Sequence, residues 1–516
     1  MTVFRRLPRL VIACAAAVLM AGCASVDFDY PKVESAAISE TDTTETYLGK
    51  QVAELVAGHP EDESGFYAVY DGKDSLALRL LLMERAEHTI DAQYFLIHDD
   101  LVGRVFVNAM LSAANRGVKV RFLLDDVLSQ GLDPGLAILD SHENIEVRIY
   151  NPFAHRKYRA MDAFSLGRIT RRMHNKSLTV DNQVTLIGGR NIAGEYFDAR
   201  DDVRFGDLDV LGIGPVVPEV SASFDIYWNH RAAVPILALA DVPDNAAEAL
   251  ATLDERVKKS VETAENSEYA DAVRASIESY IGSGQDIFTW ATYNLVSDSP
   301  NKSSAATWDE SELITKKIKS AIEAQNELFV VTPYFVLVKS DIEDFAAMHQ
   351  NGVEITVLTN SLAANNHTAV HSAYYPTRKP LLKEGINIYE LRASLDEPAD
   401  EKLPKDAPIS TLHAKTFAID RESIFIGSFN WNQRSVNRDT ELGVIIHSPE
   451  MATELVERVS AQLPTKAFKV TLDKKNNTQW TVTEDGEEIV VDKEPQTGAW
   501  RRFSAWFQRI VPRSQL

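Results

Sequence analysis

The chain has 516 residues and is 45% hydrophobic, enough for more than one domain with a sizeable core, which excludes a disordered or fibrous protein. Its 75 Asp and Glu against 53 Lys and Arg leave a net charge of −22. A polyanion is repelled by such a surface at long range, so non-specific nucleic-acid binding is not expected.

At the N-terminus Arg5, Arg6 and Arg9 precede a short apolar run, Val11 to Met20, and Met20-Ala21-Gly22-Cys23 places small residues before a cysteine. This pattern is a secretory signal, too short and wrongly flanked for a spanning helix. It resembles a bacterial lipobox, in which Cys23 is lipidated and becomes the first mature residue. Cys14 leaves with residues 1–22, so the mature chain has no disulfide and a charge of −25. Several acyl chains on one residue give lasting attachment. The expected location is the bacterial cell envelope, anchored facing the periplasm, with Ala24 favouring the outer over the inner membrane. Residues 23–50 are rich in Ser, Thr, Asp and Glu and read as a tether.

Beyond the tether the chain repeats itself at an interval of about 240 residues. Thr89 to Phe95 has a strand pattern, matched by Leu328 to Phe335. Amphipathic helices follow, Val102 to Arg116 and Asp341 to Asn351, each stopped by a glycine, Gly117 or Gly352. Second strands come next, Val118 to Leu124 and Val353 to Leu358, then Ile145 to Tyr150 and Ile386 to Leu391. Strand, helix and strand in duplicate predict an α/β protein of two similar lobes, residues 51–239 and 301–465. Residues 240–300 read as a helical insertion. Residues 466–516 read as a hairpin, Phe468 to Leu472 with Trp480 to Thr483, a further strand, and a tail.

Each lobe carries the same constellation. His174, Lys176, Asp181 and Gly188-Gly189-Arg190-Asn191 recur, at the same spacing, as His413, Lys415, Asp420 and Gly427-Ser428-Phe429-Asn430. Period-two alternation puts His174 and Lys176 on one strand face, with a polar turn at Asp181. The glycines would let backbone approach a ligand, and Asn191 and Asn430 would stand where a helix start offers N–H groups to an anion. Two such lobes facing each other make a phosphate-sized cage. Lysines supply charge and asparagines supply donors. One neutral imidazole attacks phosphorus while the other, protonated, donates to the departing alcohol. Asp181 and Asp420 point the other way, for capping a turn or orienting a lobe. Asp207 and Glu441 follow the histidines by about thirty residues on the next apolar strand, either as tautomer-fixing partners or as solvated charges.

These paired motifs resemble the HKD motifs of the phospholipase D superfamily over residues 60–495. Arg171 to Lys176, Gly188 to Asn191, Asp207 to Val210, Thr359 to Asn365 and Gly427 to Asn430 look like the bacterial cardiolipin synthase C subgroup. The resemblance implies mixed β-sheets flanked by helices, two lobes related by a pseudo-twofold axis, one shared active site, and no metal or other cofactor. It also implies phosphatidyl transfer through a phosphohistidine, with membrane phospholipids as partners: phosphatidylglycerol as acceptor, cardiolipin as product, and the donor lipid left open, phosphatidylethanolamine being one candidate partner. By the same resemblance His174 is the nucleophile and His413 the acid. Hydrolysis to phosphatidate and a periplasmic nuclease are the alternative activities. Gly189 departs from the superfamily's usual serine, which Ser428 keeps.

Near the C-terminus Trp500, Phe503, Trp506, Phe507 and Ile510 share one helical face, with Arg501, Arg502, Arg509 and Arg513 around it. This is the pattern of an interfacial membrane helix, or of a terminal helix packed on the second lobe.

Overall fold

The computed structural model describes residues 25–264, 266–282, 287–304, 313–321 and 324–510. The signal segment, Cys23 and Arg513 lie outside the described residues. In the first lobe the strands are β1 (Ser64–Val69), β2 (Thr89–Tyr94), β3 (Lys119–Asp125), β4 (Ile145–Tyr150), β5 (Ser177–Val180), β6 (Val184–Gly188), β7 (Val203–Gly206), β8 (Asp209–Ile213) and β9 (Ala233–Pro235). The chain crosses between lobes through β10 (Thr289–Ala291) and β11 (Tyr293–Ser297). The second lobe continues with β12 (Glu327–Val331), β13 (Glu354–Asn360), β14 (Asn387–Leu391), β15 (Ile409–Leu412), β16 (Thr416–Ile419), β17 (Ser423–Gly427) and β18 (Leu442–Ile446). It closes with β19 (Ala467–Leu472), β20 (Thr478–Glu484) and β21 (Glu487–Val491).

The two sheets have one topology. The first runs β10-β1-β8-β6-β5-β2-β3-β4-β9, and the second β11-β18-β17-β16-β12-β13-β14-β19-β20-β21. From β1 to β9 and from β11 to β19 the order corresponds strand for strand. In both, the central trio is parallel and the flanking pairs antiparallel. Parallel strands buried on both faces need long apolar stretches, and β3 and β13 are buried over their last four residues. Helices Gly72–Arg85 and Leu101–Asn115 cover the outer face of the first sheet, and Lys339–Gln350 and Thr368–Lys383 that of the second. The inner faces pack on each other: Phe66, Ile187 and Val210 share a core with Phe329, Ile426 and Val444. That shared core sets the two lobes face to face.

Two regions differ from expectation. The segment read as a tether is held along the first lobe from Phe28 onward. Ser35 and Ala37 donate their N–H groups to Asn229 and Asp225, the Arg148 guanidinium takes the Val33 carbonyl, and the chain enters a helix at Tyr47–Val56. Its composition is that of a solvated linker, but its backbone groups find fixed side-chain partners. The insertion contains helices Ala246–Ala264 and Glu268–Gly282, packed on the first lobe's helices, but ends in two strands, β10 and β11, one for each sheet. The expected C-terminal hairpin and further strand are present, and because β19 pairs with β14 they widen the second sheet.

Candidate active site

β5 and β6 join through a three-residue loop, 181–183, with positive φ at Asp181 and Asn182, and β16 and β17 through the same kind of loop, 420–422, with positive φ at Asp420 and Arg421. Asp181 accepts three backbone N–H bonds, from Glu87, His88 and Thr89, at 2.8–2.9 Å. Asp420 accepts three from Gln325, Asn326 and Glu327 at 2.7–2.8 Å. Each ties its hairpin to the start of the neighbouring parallel strand, at the end of the sheet opposite the histidines. These aspartates position strands.

His174 and Lys176 stand on the extended stretch just before β5, and His413 and Lys415 just before β16. Each histidine is bonded to the other lobe. His174 N–H donates to the carbonyl of Thr440 at 2.9 Å, and His413 N–H to that of Gly206 at 2.7 Å. The next residue on each receiving strand is the carboxylate. His174 Nδ1 lies 2.9 Å from Glu441 Oε2, and His413 Nδ1 lies 2.6 Å from Asp207 Oδ2. Both acids are marked by the sequence; their crossing between lobes is not, because spacing along the chain puts Asp207 nearer to His174. A carboxylate at Nδ1 fixes the Nδ1–H tautomer and leaves Nε2 with its lone pair. A parallel pair of strands, β7 with β15, bridges the lobes beside this crossing.

Residues the motif did not single out hold each histidine from behind. Asp125, at the end of β3, accepts from Met173 N–H and from Arg172 Nε at 2.9 Å. Asn360, at the matching end of β13, grips Leu412 through both N–H and carbonyl at 2.8 Å. The signal was available: both end the second strand of the repeat. Phe95 meets the His174 ring edge-on at 4.9 Å, while Phe205 stacks on His413 at 5.4 Å and Tyr196 meets it edge-on.

Glu441 is braced by Ser435 Oγ at 2.6 Å and by Ser428 Oγ. Beside Asp207 stands Gly189, where a Cβ would lie 2.1 Å from Asp207 Oδ1. The glycine departure therefore makes room for a carboxylate rather than for a ligand. The expected helix starts also differ. After Asn191 there is only a single 3₁₀ turn, Gly194–Tyr196, and after Asn430 a five-residue helix, Gln433–Asn437. Neither is long enough to present a useful dipole. What the asparagines share is a buried amide oxygen without a partner in each, Asn191 Oδ1 and Asn430 Oδ1.

Burial dominates the electrostatics. It pushes the His174 imidazole below its ordinary value, against the pull of Glu441, and His413 to about 3, helped by the Lys415 ammonium. The same burial lowers Lys176 to about 7 and Lys415 to about 8. Each lysine also depresses the other lobe's histidine, so the four groups share one electrostatic site. Asp207 and Glu441 are held below the carboxylate range by their imidazoles and lysines despite burial. An arriving anion raises the pKa of all four basic groups. Among the described residues His98, Asp100 and Glu195 have the spacing of metal ligands, but Asp100 already caps Gly103 and Gly194 N–H groups.

The family described as "Cardiolipin synthase, PLD-like domain" matches residues 80–207 and 314–462, one match per lobe. Cardiolipin synthase C of Escherichia coli (strain K12) is 37% identical over 470 residues, covering 90% of this chain and 98% of its own. An uncharacterized protein of Helicobacter pylori (strain ATCC 700392 / 26695) is 30% identical over 505 residues, covering 96% of this chain and 97% of its own. In fold, the crystal structure of phosphatidylserine synthase from Haemophilus influenzae Rd KW20 superposes with a TM-score of 0.53 at 13% identity, covering 81% of this chain and 91% of that one. With two matched lobes, an inner core joining them and relatives spanning nearly their full length, the chain belongs to the phospholipase D superfamily, in its cardiolipin synthase branch, and is a phospholipase D-type enzyme.

Proposed function

We propose that this enzyme transfers a phosphatidyl group between phospholipids, taking phosphatidylglycerol as acceptor and forming cardiolipin. The observation that carries the reading is the crossed pairing, in which each lobe's carboxylate orients the other lobe's histidine. His174 Nε2 attacks phosphorus, the bond from phosphorus to the headgroup oxygen breaks, and protonated His413 gives its proton to the departing alcohol. A hydroxyl of phosphatidylglycerol then attacks the phosphohistidine, His413 takes that hydroxyl's proton, and His174 is released. Lys176, Lys415, Asn191 and Asn430 hold the non-bridging oxygens, and the anion restores full charge to both lysines. No metal enters these steps. Cys23 carries the acyl anchor, on the periplasmic side of the outer membrane. The E. coli relative named cardiolipin synthase C supports the substrate class.

Incubation of the purified enzyme with labelled phosphatidylglycerol, with and without phosphatidylethanolamine, in EDTA tests this reading. Cardiolipin is the expected product. Phosphatidate alone makes the enzyme a hydrolase, and loss of turnover in EDTA removes the metal-free mechanism.

A further inference from the structure

The helix Ala499–Phe507 and the turn after it fasten to the second lobe by one face only. Arg501 Nη2 donates to the Asn365 carbonyl at 2.7 Å, the Arg509 guanidinium lies 3.7 Å over the Tyr375 ring, and Ala505 is buried. The arginines thus face the protein. The other face is bare: Trp500 is 78% exposed, Phe503 50%, Trp506 57%, Phe507 56% and Ile510 74%. Phe503 touches the rings of Trp500, Trp506 and Phe507, so the patch is continuous. A contiguous aromatic patch kept in water carries a free-energy cost that a monomeric protein ordinarily avoids.

Its position gives it a meaning. Asn365, which holds Arg501, follows β13 by five residues, and at the end of β13 Asn360 grips Leu412 beside His413. The Tyr334 hydroxyl, at the end of β12, bonds Asn366. The aromatic helix therefore stands on the rim of the imidazole site. Exposed Leu395 lies on the same rim after β14, and exposed Leu128 and Tyr158 lie across from it after β3 and β4. The helix is also basic in an acidic chain. Residues 498–510 carry three Arg and no acid, while in residues 155–172 Arg156, Arg159 and Arg172 are ion-paired to Asp126, Asp133 and Asp125. The chain's N-terminal stretch arrives here too, because the Phe28 ring sits 5.4 Å from the Arg168 guanidinium and Arg168 bonds Asn151 at the end of β4.

We propose that this rim is a membrane-docking surface: the aromatic face of helix Ala499–Phe507 inserts at the headgroup level of an anionic phospholipid bilayer and sets the imidazole site mouth-down on the lipid. Aromatic side chains favour the interface between water and hydrocarbon, and residues 498–510, with three arginines and no acid, do not repel an anionic surface. No helix among the described residues is long and apolar enough to cross a membrane, so the contact is a surface one. It agrees with the phospholipid reading above but is tested without turnover.

The test uses the full-length protein with His413→Ala on phosphatidylcholine–phosphatidylglycerol vesicles whose acyl chains are brominated. Tryptophan emission is expected to be quenched by the bromines, and Trp500→Phe and Trp506→Phe, which keep an aromatic ring and the fold, should each remove about half of the quenched signal. Emission from these two tryptophans that escapes the bromines while remaining open to aqueous iodide overturns the proposal. Protection from both quenchers overturns it as well, since it assigns the face to a second copy of the chain. Because no product is measured, failure of the transferase reading leaves this result intact, and failure here leaves activity on detergent-dispersed lipid to be judged separately.

Discussion

In the second lobe Glu441 reaches His174 with serine hydroxyls, Ser428 and Ser435, bracing its two oxygens, whereas in the first lobe Asp207 reaches His413 against the bare backbone of Gly189. The two halves solve one problem with different side chains. A glutamate, one methylene longer, spans the gap from further back and leaves space for a serine. An aspartate has to come closer, and its carboxylate occupies the volume a serine would fill. The enclosure differs too: His413 is stacked by Phe205 and flanked by Tyr196 and Lys415, while His174 meets the edge of Phe95. Acid length and neighbour size thus vary together, while the crossing itself is kept.

The largest effect expected concerns the histidines as a unit. His174→Ala and His413→Ala should each lower kcat by roughly 10⁴-fold or more, and the double variant should fall no further, as for groups that act on one phosphorus. Additive losses would mean two separate sites. Next comes the unequal pair at the acids. Gly189→Ser should push Asp207 away and cost on the order of 10²-fold in kcat, whereas Ser428→Ala, which removes one of several bonds to Glu441, should cost about tenfold or less. Equal effects would break the distinction drawn between the lobes.

Acid should act through the enclosed histidine. Folded His413 titrates at about 3 against about 6.5 in an unfolded chain, so between those values the unfolded state binds the extra proton. Stability should therefore be intact above about pH 6.5 and fall as pH drops towards 3, by on the order of a few kcal/mol from this group. Asp207, depressed in the fold, adds a loss in the same direction below about pH 4. Urea unfolding across this range should show the slope, and His413→Gln should flatten it. The smallest effect separates the two turn aspartates. Asp181→Ala leaves three N–H groups at a buried site and should cost roughly 2–3 kcal/mol, with kcat unchanged. Asp420→Ala, at a partly exposed turn where water can replace the carboxylate, should cost less in the same melting experiment.

Much of this was legible in the sequence. Most of the duplicated strands fell within a residue or two of their positions, Ile145 to Tyr150 without change, while Leu328 to Phe335 overran β12, which ends at Val331; strand-forming residues between turn signals mark such segments. The motif spacing located both histidines. Period-two reasoning still started the strands too early, since β5 begins at Ser177 and the histidine-bearing stretch before it is extended but bonded to the other lobe. The crossing of Asp207 and Glu441 left no local trace: it follows from how two sheets pack, through Phe66, Ile187 and Phe329 among others, and no spacing within one lobe encodes that. The acidic stretch from Phe28 to Thr46 misled for a related reason. Its composition describes side chains, while its fixation comes from backbone groups meeting Asn229, Asp225 and Arg148.

Nuclear magnetic resonance of ¹⁵N-labelled histidine reads the crossing most directly. Asp207→Asn should change the tautomer and titration of His413 and leave His174 as it was, and Glu441→Gln should do the reverse. If Asp207→Asn instead disturbed His174 alone, each lobe would serve its own histidine, and the single site shared between them would be contradicted.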